Sequence, residues 1–146
     1  MTLAFALKQK NRLAGELSRK QEILRRENAR RSDNVSTIDR KELWDSILDT
    51  SNQLADLKGK ITVANIGIYP KLERMSELKA RIAFIRTIPT TEGQETSFVG
   101  ANQEKLVYVW DSFINQQKVD ALIVAFQSEI NSLQDECDTY NAITQI

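Results

Sequence analysis

The chain has 146 residues, 41% of them hydrophobic, which suits one domain with a real core rather than disorder. Its 20 basic and 20 acidic groups cancel, so net charge supplies no global attraction to nucleic acid or to an anionic membrane. Histidine is absent and Cys137 is the only cysteine, which excludes Ser-His-Asp triads, Cys-His pairs, histidine-rich metal sites and any disulfide within one chain.

Thr2 is placed to N-cap a first helix whose inward residues are expected to be Leu3, Ala6, Leu7, Leu13, Ala14, Leu17 and Leu24. Lys10 and Gln21 interrupt that seam. Either their stems snorkel outward, or this helix sits at the edge of its bundle. The polar run 28–34 ends the pattern, and the loop it forms is expected to be mobile. Residues 1–31 carry nine basic and three acidic groups, net +6, whereas 117–146 carry one basic and five acidic, net −4. Such ends attract each other, within a subunit or between subunits. The first apolar run, 3–7, is too short for a secretory signal and is followed by Lys8, Lys10 and Arg12.

Ser36 followed by Asp39 reads as a capping box opening a second helix. There Leu43, Ile47, Thr50, Leu54, Leu57, Ile61 and Ala64 alternate in steps of four and three, a heptad seam. Trp44, Leu48 and Ala55 widen the stripe, which predicts a central helix with two neighbours. Gly67 is expected to cap it in the left-handed conformation, and Pro70 suits the first turn of a third helix. The third seam is Leu72, Met75, Leu78, Ile82 and Ile85, closed by Pro89. So short a connection predicts that helices two and three are antiparallel neighbours. The longest uncharged run, 61–70, has ten residues and contains Asn65, Gly67 and Pro70. A membrane-spanning helix needs about 20 apolar residues, so a cytoplasmic protein is expected.

An insertion at about 90–115 changes character. Turn residues and the β-rich run 106–110 predict a hairpin, 96–99 against 105–110 with its turn near 100–104. Leu106, Tyr108 and Trp110 then share one face. A lone two-stranded hairpin is marginal in water, so this face must pack on the bundle or on another subunit. Asn115 N-caps the last helix, whose seam is Val119, Leu122, Phe126, Ile130, Leu133, Cys137 and Tyr140. Ile123 and Val124 widen its first half, which should be surrounded, while Asp135, Glu136 and Asp138 make the second half wetter. The expected fold is mainly α, a single domain spanning 1–146: an elongated antiparallel bundle of four long helices with a short β-hairpin inserted before the last.

Three stretches, "LAFALKQKNRLAGELSRKQEIL", "LADLKGKITVANIGI" followed by "LERMSELKARIAFIR", and "KVDALIVAFQSEINSLQDECDTYNAIT", resemble the septicolysin-like family of small bacterial proteins. Asn65, Asn141 and Thr144 fall at helix ends where family members look similar. The resemblance implies a helical bundle with a hairpin-like insertion before the final helix, and it brings no catalytic residues. The family name suggests a lytic or pore-forming activity, against which stands the lack of a spanning run.

Cys137 lies on a seam, so a buried structural thiol is expected rather than a reactive one. None of Gly15, Gly59, Gly67, Gly93 and Gly100 has phosphate-loop spacing. Asp135 and Asp138, with Glu129 or Glu136, either hold a hard cation loosely or are solvated surface charge, the second being favoured; no metal or cofactor is expected. Arg12, Arg19, Arg26 and Arg30, joined by Arg25 and Arg31, can line one face of the first helix and meet a phosphate backbone. The favoured alternative is a solvated face or a dock for the acidic last helix, since no aromatic residue is interleaved. Tyr108, Trp110 and Phe113 can anchor a partner or pin the hairpin to its own bundle. An oligomer interface satisfies both descriptions. The leading expectation is a non-enzymatic protein that self-associates as a homo-oligomer, in a scaffolding or interaction role. Nucleic-acid binding through the basic first helix is the alternative.

Overall fold

Helix α1 (Leu3–Glu27) begins where expected, with the Thr2 hydroxyl accepting a hydrogen bond from the Phe5 amide at 3.3 Å. In the computed structural model, which describes residues 1–146, it is followed by α2 (Arg40–Asn65), α3 (Tyr69–Ile85), β1 (Gly93–Val99), β2 (Glu104–Trp110) and α4 (Gln116–Ile143). The protein is thus mainly helical, with one two-stranded antiparallel sheet. Its residues cluster into two compact units, Met1–Tyr69 with Cys137–Ile146, and Pro70–Glu136.

In the first unit α1 packs along α2. Leu3, Ala6 and Leu13 meet Leu54, Leu57 and Ile61, with Leu7, Leu17, Ala64, Tyr140 and Ile146 around them. Every position of the α2 heptad seam is buried or half-buried. Thr50, its one polar member, is satisfied twice: its hydroxyl donates to the Ser46 carbonyl at 2.8 Å and accepts from the Lys20 ammonium at 2.9 Å. Lys20 also grips Glu16 at 2.6 Å and holds that carboxyl below its ordinary range, through the hydrogen bond first and charge attraction second. The seam therefore carries a cross-helix polar contact whose partner is charged but not stranded.

Four local expectations are corrected here. The N-cap of α2 is Asp39, whose carboxylate accepts from the Glu42 amide at 3.0 Å. The Ser36 hydroxyl is spent on a tight turn, accepting from the Ile38 amide at 3.2 Å. The connection before α2 is tied down, because the Arg40 guanidinium reaches the Asn28 carbonyl at 2.9 Å and so satisfies the open end of α1. Trp44 and Leu48 remain 49% and 43% exposed. The widened flank of α2 is therefore only partly covered at these two residues.

The fourth correction concerns Gly67, which does not take the left-handed conformation; only Gly93, Gly100 and Gln103 have positive φ. α2 ends in two tight turns, Ile66 to the Val63 carbonyl at 3.3 Å and Ile68 to the Asn65 carbonyl at 3.0 Å. Glycine is required at 67 for space. A Cβ there would lie 2.6 Å from the Tyr140 hydroxyl oxygen, and that hydroxyl donates to the Ala64 carbonyl at 2.8 Å. The termini close the same unit: the Leu3 amide donates to the Thr144 carbonyl at 2.8 Å and the Ile146 amide to the Met1 carbonyl at 2.9 Å.

In the second unit Leu78 and Ile82 of α3 pack against Ile130 of α4, flanked by Ile123, Phe126 and Leu133. Pro70 stands in the first turn of α3, as its missing N–H favours. Arg74 clamps Glu129 with two hydrogen bonds of 2.8 and 3.2 Å, and Lys71 pairs with Glu136. Asn115 caps α4 as expected, accepting from the Lys118 amide at 2.9 Å. The first half of α4 is not surrounded, since Val124 is 70% exposed.

Candidate interaction surface

The hairpin is positioned from its base. The Ser112 hydroxyl donates to the Thr91 carbonyl at 2.9 Å, which ties the two outer ends of the ribbon to each other, and Thr90 bonds Gln116 at 2.9 Å, which ties the β1 end to the start of α4. The strands pair antiparallel from Gly93 opposite Trp110 to Val99 opposite Glu104, so β1 starts three residues earlier than its expected limit at Thr96. The turn falls within 100–103.

This register sorts the side chains. Leu106, Tyr108 and Trp110 share one face with Glu95, Ser97 and Val99, as alternation requires. Phe98, Val107 and Val109 lie on the other. The Trp110 indole N–H donates to Glu95 at 2.7 Å across that first face. Yet neither face is covered. Leu106, Tyr108 and Trp110 are 40%, 52% and 49% exposed, and Phe98 and Val109 are 65% and 73% exposed. Phe113, just past β2, is 91% exposed and carries the Lys118 ammonium 5.3 Å from its ring centre. Tyr108, Trp110 and Phe113 thus all belong to the second unit, but Phe113 lies outside the ladder. Sequence reasoning missed Phe98, whose place opposite Lys105 follows only from the register.

The arginines are placed differently. Arg12, Arg19 and Arg26 are exposed on α1, seven residues apart, whereas Arg30 lies beyond the helix end with its Nη1 buried and without a hydrogen-bond partner. Arg12 is partly engaged by Glu16 at 3.9 Å, and Arg25 by Glu22 at 3.2 Å. Glu129 and Glu136 are occupied by Arg74 and Lys71, so the carboxylates of α4 do not converge on one another. Cys137 is buried.

A groove of about 620 Å³ runs along α2 in the first unit, lined by Ala55, Gly59, Val63 and Ile146 with Asp56 and Lys60 at its side. Its walls are largely apolar. No helix is long and apolar enough to cross a membrane. No family model, curated protein or solved structure matches the chain.

Proposed function

We propose that this is a non-enzymatic helical-bundle protein that self-associates through its β-hairpin and serves as a scaffold or interaction module. The observation that carries the reading is the hairpin with apolar side chains exposed on both faces. A two-stranded ribbon is at best marginal alone in water, and uncovered aromatic and β-branched residues at this density are what interfaces bury. The lack of histidine in the sequence removes the commonest general base and nucleophile activator, which supports a role without catalysis. In this reading the four helices form an elongated antiparallel bundle in the cytoplasm. Membership of the septicolysin-like family is part of the proposal, supported by the order of three helices, hairpin and final helix that the resemblance implies.

Light scattering over a concentration series tests the proposal. The expected mass is a multiple of the 16.7 kDa chain. A strict monomer at tens of micromolar would overturn it.

A further inference from the structure

We infer that the hairpin joins a second copy of this chain edge to edge through β2, antiparallel about a two-fold axis at Tyr108, with Lys105 of each copy opposite Asp111 of the other. This rests on the self-association reading and specifies its geometry. Both strands of a two-stranded sheet are edge strands, each with one row of backbone N–H and C=O groups unpaired. They are not equivalent. β1 is polar at Gln94, Glu95, Thr96 and Ser97, carries no basic group, and begins at Gly93, whose φ of 93° breaks the extended backbone. β2 is Glu-Lys-Leu-Val-Tyr-Val-Trp, β-branched and aromatic along its length.

A strand that pairs antiparallel with its own copy is centred on one residue facing itself. Centring on Leu106 sets Lys105 against Val107 and Glu104 against Tyr108. Centring on Val107 sets Lys105 against Val109 and Glu104 against Trp110, and centring on Val109 sets Asp111 against Val107. Each of these desolvates a charge beside an apolar side chain. Centring on Tyr108 alone pairs opposite charges, Lys105 with Asp111 at both ends, and sets Leu106 against Trp110 and Val107 against Val109 between them. Lys105 and Asp111 are both exposed and neither has an ion-pair partner within the chain. The joined sheet has four strands, enough for independent stability, and its one face carries Leu106, Tyr108 and Trp110 from both copies in a continuous apolar surface.

The test uses the full chain with K105E, D111K and an equal mixture of the two, folding being checked by circular dichroism. Sedimentation equilibrium reads the association constant. Each variant alone places like charges opposite each other twice and is expected to associate about tenfold more weakly than wild type. In the mixture both contacts become attractive again, so association should return to within about threefold of wild type. Wild-type association unaffected by either substitution, or a mixture no stronger than its components, overturns the register while leaving self-association standing. A monomeric wild type overturns both.

Discussion

Gly67 leaves open the space that the Tyr140 hydroxyl occupies. The tyrosine hydroxyl needs the Ala64 carbonyl, a helix-end acceptor, and can reach it only across a residue without a Cβ. Gly67→Ala is therefore expected to displace the ring, break the bond and cost about 1–2 kcal/mol. Tyr140→Phe should cost about 1 kcal/mol. In the Tyr140→Phe background the added methyl group should cost less, because the atom it meets at 2.6 Å is gone and the nearest ring carbons stand at 3.3 and 3.4 Å. Urea unfolding of the four proteins gives the coupling, and strictly additive losses would count against the contact. Nothing local in the sequence announces this pair. A glycine after a helix is read as a left-handed cap because that is its commonest use, and the residue that demands it here lies far along the chain.

Among the elements, the pairing of α3 with α4 responds to acid in a defined direction. The Arg74 guanidinium, by hydrogen bonding first and by charge as well, holds the Glu129 carboxyl below its ordinary value of 4.5, with Arg81 adding a smaller pull. The unfolded chain thus takes up that proton at a higher pH than the folded chain does. Stabilisation from this group is complete above the unfolded value and is lost as pH falls through the lower folded one. Glu129→Gln should flatten the fall in stability below about pH 4.5 relative to wild type. Thermal unfolding across pH 3 to 7 checks this, and parallel curves for the two proteins would refute it. The helix seams themselves were legible from spacing alone. Leu54, Leu57 and Ile61 on α2 and Val119, Ile130 and Cys137 on α4 are all buried as their periodicity requires. The flanks at Trp44 and Val124 were not, since an apolar residue beside a seam has the same pattern whether or not a neighbour covers it.

For the whole molecule, folding and association should be linked. A partner that binds only the folded hairpin stabilises it by mass action, so the unfolding midpoint should rise with protein concentration. Calorimetry from about one to one hundred micromolar measures the effect expected from this linkage. A midpoint independent of concentration would remove the coupling.

The sequence by itself determined the elements: four helices, their caps at Thr2 and Asn115, the buried stripes and a hairpin before the last helix. Those follow from local backbone preference and from the period at which apolar residues recur, and both are properties of neighbours along the chain. Tertiary structure alone decided that Gly67 yields to Tyr140 and that both hairpin faces stand open. Each of these depends on which distant group arrives to take a hydrogen bond, fill a space or leave one empty, and no periodicity encodes that arrival.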